Sequence, residues 1–244
     1  MSQKSKRNQT NPVHPPPPVP QAPQASRVGR RSLFIAAAVT LLIAFFVGTL
    51  FYKSEKAKSA ERAVTTSRPA LTRDHAPTLG PADARVHIVE FLDPACETCR
   101  EFYPFVKSLM AANPEKIRLS VRHVAFHTGS DFVVRVLEAA KRQGKYWQTL
   151  EALLASQSRW AVNHTVRSDL VMARLDGLGL NLEQLNRDMN DPEITRAIEQ
   201  DLADAKSLNV TKTPEYFVNG RQMPTFGYEQ LKELVGDELK RAYP

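Results

Sequence analysis

Hydrophobic and polar positions divide the chain into three stretches with different periods. Residues 1–31 have no apolar periodicity, and seven of the 17 prolines lie between Pro12 and Pro23. The proline run 15–18 favours extended polyproline II, so this stretch reads as a Pro-rich disordered tail. Residues 32–52, SLFIAAAVTLLIAFFVGTLFY, carry no charge over 21 positions. A helix of that length rises about 31 Å at about 1.5 Å per residue, which matches a hydrocarbon core of roughly 30 Å. A buried helix of a soluble domain is rarely apolar on every side, so the stretch predicts a transmembrane helix. Two alternatives stay open. A cleaved signal peptide has a shorter apolar region of about 7–15 residues followed closely by a small-x-small site. Arg30-Arg31-Ser32-Leu33-Phe34 also looks like a twin-arginine export signal.

Residues 53–77 open with charged helical sequence and end in polar, Pro-containing sequence, and read as a linker. From residue 78 short periods take over. Residues 86–92, VHIVEFL, form a β-rich apolar run that ends at a turn and predict a buried strand. A helix is expected from about Cys96 through Phe102, Val106 and Leu109. Ile117, Leu119 and Val121 alternate with Arg118, Ser120 and Arg122, which predicts a second strand over 117–124. Helical sequence dominates from Asp131 to about Leu208, with Asn181 and Asp191-Pro192 as helix starts. Tyr216-Phe217-Val218 predicts a strand, Asn219-Gly220 a hairpin turn, and Leu231, Leu234, Val235 and Leu239 a terminal amphipathic helix. The expected order is β-α-β, a helical block, a β-hairpin and a helix, an α/β domain spanning 78–244.

Charge changes the picture in one respect. The net +7 resides in residues 1–62, which carry ten basic and two acidic side chains, whereas residues 63–244 carry 23 and 24. The globular part is therefore neutral and offers no duplex-binding face, and no nucleic-acid partner is expected. Six basic residues (Lys4, Lys6, Arg7, Arg27, Arg30 and Arg31) precede the apolar stretch, while Lys53, Lys56, Lys58 and Arg62 after it are interspersed with Glu55 and Glu61. That bias predicts a single-pass protein with its N-terminus in the cytoplasm and residues 53–244 outside it.

The two cysteines, Cys96 and Cys99, stand at the strand-to-helix junction in Asp93-Pro94-Ala95-Cys96-Glu97-Thr98-Cys99. Unpaired N–H groups at a helix N-terminus stabilise a thiolate, the nucleophilic form of cysteine. Cys96 is thus expected to be exposed and reactive, with Cys99 one turn inward to resolve a mixed disulfide. A zinc site is the first alternative, but it usually needs four ligands. Only His123 and His127, among the six histidines, are suitably spaced to join in. A passive disulfide across so short a ring would constrain little of the unfolded chain. Neither alternative is favoured, and no metal is expected.

Over residues 78–244 the sequence resembles the thioredoxin superfamily, in its DsbA-like branch with a helical insertion. Cys96 and Cys99 match the redox motif, Glu90 the family's buried acid, Pro104 a proline that bends the active-site helix, and Thr213-Pro214 the cis-proline loop. The resemblance implies a thioredoxin-like fold with a helical insertion at about 131–205, preceded here by the tail and the transmembrane helix. It implies a thiol-disulfide oxidoreductase in which Cys96 exchanges, Cys99 resolves and Glu90 relays a proton. Thr213 and Pro214 would shape the groove for a client backbone. The dipeptide Glu97-Thr98 departs from the family's Gly-Pro and Pro-His, so oxidase, reductase and isomerase all stay open. Implied partners are cysteine-containing exported proteins and a membrane redox partner that resets the dithiol. A monomer without a cofactor in the inner membrane, its catalytic domain periplasmic, is expected. The rival reading is a thioredoxin-like binding module that holds clients, copper or zinc.

Overall fold

The computed structural model describes residues 29–244, so the Pro-rich tail lies outside the described residues except at its last three positions. Two compact units divide near residue 54. In the first, the described chain is helical, and its apolar side chains, among them Phe34, Leu41, Phe45 and Phe51, are exposed. Among the described residues one helical stretch, Ala37–Lys56, is long and apolar enough to cross a membrane. It belongs to α1, Arg30–Leu71, which continues well past the charged stub that the sequence suggests.

The second unit holds a five-stranded sheet built from β1 (Thr78–Leu79), β2 (Val86–Leu92), β3 (Ile117–His123), β6 (Glu215–Val218) and β7 (Arg221–Gln222), in the order β1-β3-β2-β6-β7. β2 runs parallel to β3, with Glu90 opposite Val121, and antiparallel to β6, with Glu90 opposite Tyr216. The β2–β3 connection is α2, Glu97–Ala112, as a parallel pair requires. β2 is buried along nearly its whole length, with both faces covered, and is apolar apart from His87 and Glu90. Val86, Ile88 and Leu92 join the main core with α2 and the terminal helix α9, Tyr228–Ala242. Val89 and Phe91 join a second cluster with Leu71, Val124, Ala205 and Phe217. β6 and β7 form the expected hairpin, and Asn219 (φ 49°) and Gly220 (φ 85°) take the two left-handed positions of its turn.

The helical block comprises α3 (Ser130–Arg142), α4 (Tyr146–Ala155), α5 (Gln157–Trp160), α6 (Ser168–Met172), α7 (Leu182–Asp188) and α8 (Pro192–Ser207). Asn181 and Asp191 cap α7 and α8 by accepting from Gln184 N and Glu193 N. The block is not continuous helix. Between α5 and α6 lies a two-stranded hairpin, β4 (Ala161–Val162) and β5 (Thr165–Val166), whose turn residues Asn163 and His164 both have positive φ. These strands are two residues long, too short to show a period.

One other expectation is corrected. The stretch 53–77 is not a free linker at its far end: Leu71 is buried, Arg73 pairs with Asp204 at 2.7 Å, and His75 meets Asp201 at 2.6 Å. On β3 the polar side of the alternation is covered at Ser120 and Arg122. Arg122 is fully buried and reaches Asp201 at 2.7 Å and Asp204 at 2.6 Å, both from α8. Alternation marks a strand's two faces but not whether an ion-paired helix covers the charged one.

Candidate active site

Cys96 is the N-cap of α2 and stands in extended conformation (φ −76°, ψ 121°), where the helix offers its unpaired N–H groups. Both cysteines are free thiols. Cys96 is only 6% exposed and Cys99 0%, so the expected asymmetry is present, but Cys96 shows an edge rather than a free side chain. Its thiol donates to the Thr213 carbonyl oxygen at 3.3 Å, and the Thr213–Pro214 peptide is cis. The hydrogen bond from the Cys99 thiol is the main reason that the Cys96 pKa falls from 9.0 to about 5. Burial opposes the fall, while the Thr213 side chain and the backbone N–H groups of Cys99 and Thr98 assist it. Burial above all pushes the Cys99 pKa well up, with the bond to Cys96 and the charges of Cys96 and Glu90 adding to it.

Glu90 lies on the main-core face of β2 and is fully buried. Tyr216, its cross-strand neighbour, donates its hydroxyl to Glu90 Oε1 at 3.0 Å, while Oε2 has no partner. Burial raises this carboxyl from 4.5 to about 8, partly offset by the Tyr216 bond and reinforced by the charge of Cys96. A neutral acid therefore sits within electrostatic reach of both sulfurs. Glu97 is exposed on the first turn of α2, and with Thr98 it lines a cavity of about 380 Å³ in front of Cys96.

Several residues of this region were not read from the sequence as part of the site. Asp93, fully buried, accepts from Ala95 N (2.8 Å), Phe126 N (2.7 Å), His127 N (2.9 Å), His127 Nδ1 (2.7 Å) and the Ser130 hydroxyl. It fastens the Cys96 loop to the start of α3. Gln157, also buried, donates to the carbonyls of Pro94 (2.8 Å) and Cys96 (2.9 Å), which ties α5 to the same loop. His127 stacks on His164 (centroids 5.1 Å, 19°), and both line the cavity with Phe126 and Lys212. The hairpin that carries His164 is pinned by Val166 N to Thr128 O at 2.9 Å. Gly129 (φ 78°) lets the backbones approach, since a Cβ there would lie 3.2 Å from Val166 Cβ. An acid three residues before the first cysteine is the signal that could have found Asp93; nothing local marks Gln157 or His164. The spaced pair His123 and His127 does not converge. His123 is buried on the Tyr146 hydroxyl at 2.9 Å, whereas His127 turns to Asp93.

A strand-to-helix Cys-x-x-Cys beside a cis-proline loop and over a buried acid is a thioredoxin arrangement, and a family model described as thioredoxin matches residues 72–237. The chain belongs to the thioredoxin family. Within it, the chain is similar to a thioredoxin-like oxidoreductase from Silicibacter pomeroyi, with 34% identity over 72% of this chain and 98% of that one, and a TM-score of 0.62. It is also similar to disulfide bond formation protein D of Bacillus subtilis, 26% identical over 67% of this chain and 77% of that protein. A third relative is the Na(+)/H(+) antiporter NhaA of Herminiimonas arsenicoxydans, 26% identical over 201 residues. The chain spans under a third of the length of that antiporter. The thioredoxin fold with its helical insertion is thus both seen in the sheet order and shared with the family.

Proposed function

We propose that this thioredoxin-family domain is a thiol-disulfide oxidoreductase that exchanges disulfides with exported cysteine-containing polypeptides. The observation that carries this reading is the asymmetry of the dithiol. Cys96 lines a cavity and its surroundings lower its pKa to about 5, while Cys99 is fully buried with its pKa raised. Starting from the Cys96–Cys99 disulfide, a client thiolate attacks Cys96 Sγ. The S–S bond breaks, and its electron pair leaves on Cys99 Sγ, which takes the proton of the neutral Glu90 carboxyl. The client's second thiolate then attacks the client sulfur of the mixed disulfide and expels Cys96 as the thiolate that its surroundings stabilise. The client gains a disulfide and the domain gains two electrons. The client's protons go to solvent, from which Glu90 is recharged. A stabilised reduced form favours this oxidising direction.

In this reading Thr213 and Pro214 hold the client backbone, and Glu97 and Thr98 tune the Cys96 thiolate. The apolar part of α1 anchors the protein in the inner membrane, with its N-terminus cytoplasmic and the domain outside. A membrane redox partner reoxidises the dithiol, and the chain acts as a monomer. Refolding of a reduced, cysteine-containing client by the full chain tests the proposal. Activity should vanish in Cys96→Ser, and Cys99→Ser, given the client in its disulfide form, should accumulate a mixed disulfide as Cys96 attacks one client sulfur and the other leaves as a thiolate. Activity retained in Cys96→Ser, with metal held through dialysis, would instead support a binding module.

A further inference from the structure

Three guanidinium groups with no carboxylate partner among the described residues line one cavity of about 250 Å³. Its wall is formed by Arg68 and Thr72 at the end of α1, Arg85 and His87 at the start of β2, Arg118 on β3, and the Asn219-Gly220 turn. No acidic side chain lines it. Other arginines of the domain, such as Arg73, Arg122, Arg142 and Arg221, each meet a carboxylate within 4 Å, whereas Arg68, Arg85 and Arg118 meet none among the described residues. Glu238 reaches Asn219 Nδ2 at 3.1 Å, but its other oxygen is occupied by Arg221 and Arg241 at 2.7 Å each.

The polar groups of this cavity are organised around Arg118. Its Nη2 faces His87 Nδ1 at 3.4 Å and its Nη1 donates to Ala82 O at 3.3 Å, yet its Nε is buried without a partner. Because a guanidinium can only donate, His87 Nδ1 must accept and Nε2 must carry the proton, directed at Ser120 Oγ 2.8 Å away. Burial and the Arg118 charge keep that imidazole neutral, its pKa lowered to about 4. The cavity therefore gathers three guanidinium groups, with a neutral imidazole and no acidic side chain in its lining. Like charges gathered this way repel unless an anion lies between them.

We propose that this cavity binds a phosphate-type oxyanion, either the free ion or the headgroup of an anionic lipid. Arg118 supplies its guanidinium and His87 sets the orientation of that group. Arg85, whose Nη1 is tied to Ala242 O at 2.8 Å, and Arg68 supply the facing charges.

The test uses the full chain in phosphatidylcholine nanodiscs at constant ionic strength, titrated with inorganic phosphate and followed by hydrogen exchange of residues 68–72, 84–89 and 118–120. Saturable protection is expected, with an affinity about tenfold weaker in Arg118→Gln. Arg68 and Arg85 are exposed, so Arg68→Gln and Arg85→Gln carry the test if Arg118→Gln does not fold. A second arm omits phosphate and mixes phosphatidylglycerol into the discs. Protection there identifies a lipid headgroup, and protection in the phosphate arm alone identifies the free ion; either supports the proposal. No protection in either arm, equal protection by chloride, or protection unchanged in every folded variant overturns it. Disulfide exchange is not read in any arm, so the outcome is independent of the oxidoreductase reading.

Discussion

Replacing Glu90 with Gln should make the protein more stable, by an amount that grows with pH. Glu90 is fully buried, its Oε2 has no partner, and burial raises its pKa from 4.5 to about 8. Between those two values the folded state holds a proton that the unfolded state releases. The sign is therefore fixed: wild-type stability is fully present below pH 4.5 and falls as pH rises through 8. At about 1.4 kcal/mol per unit the total loss approaches about 5 kcal/mol, of which roughly 3 kcal/mol is lost by pH 7. Glutamine keeps an acceptor for the Tyr216 hydroxyl and has no proton to lose. Glu90→Gln and wild type should thus be nearly equal at pH 4 and separate by up to about 5 kcal/mol at pH 9. Both tryptophans, Trp147 and Trp160, lie in the domain, so their fluorescence reports its unfolding in urea. The measurement belongs on the oxidised protein, where Cys96 cannot contribute a titration of opposite sign; there its charge no longer adds to the Glu90 shift, so about 5 kcal/mol is an upper bound. Parallel stability curves for the two proteins from pH 5 to pH 9 would refute the reasoning, because they would mean that Glu90 ionises as a solvated carboxyl does.

In the reduced protein, iodoacetamide should modify Cys96 well before Cys99, with a rate that rises through about pH 5, and mass spectrometry of quenched samples reads both sites. Asp93→Asn places amide hydrogens against a cluster of N–H donors and should cost about 2–4 kcal/mol in urea unfolding; because it also loosens the Cys96 loop, client oxidation should slow more than the change in stability explains. Glu97→His removes a negative charge from the first turn of α2 and should lower the Cys96 pKa, making the pair more oxidising by about 30 mV for each unit gained. Equilibration with glutathione measures that change, and an unaltered potential would show that the dipeptide charge does not control this site.

The buried strand 86–92, the helix start at Cys96, the caps Asn181 and Asp191, the Asn219-Gly220 turn and the terminal helix were all legible in the sequence. Each is specified locally, by a hydrophobic period, a side chain that reaches its own backbone, or a residue type that tolerates positive φ. The core of the site was legible for a related reason. Cys96 and Cys99 are neighbours on one helix end, while Glu90 and Thr213-Pro214 could be placed beside them only through family resemblance. Strand pairing is what realises that placement, since Glu90 meets Tyr216 across the β2–β6 ladder and the Thr213 carbonyl receives the Cys96 thiol.

What tertiary structure alone decided are the contacts between residues far apart in the chain. Asp93 gathers donors from positions 95, 126, 127 and 130, and Gln157 reaches back to the carbonyls of Pro94 and Cys96. His164 comes to His127 on a hairpin too short to have a period. Arg122 reads as one polar position of an alternating strand until α8 brings Asp201 and Asp204 over it, and Arg68, Arg85 and Arg118 come together only where the fold lines one cavity with them. A one-dimensional pattern records which residues seek burial and which turns the backbone accepts. Whether a polar side chain finds its partner, or is left facing others of its own charge, depends on which distant segment packs against it, and that is set when the helices close over the sheet.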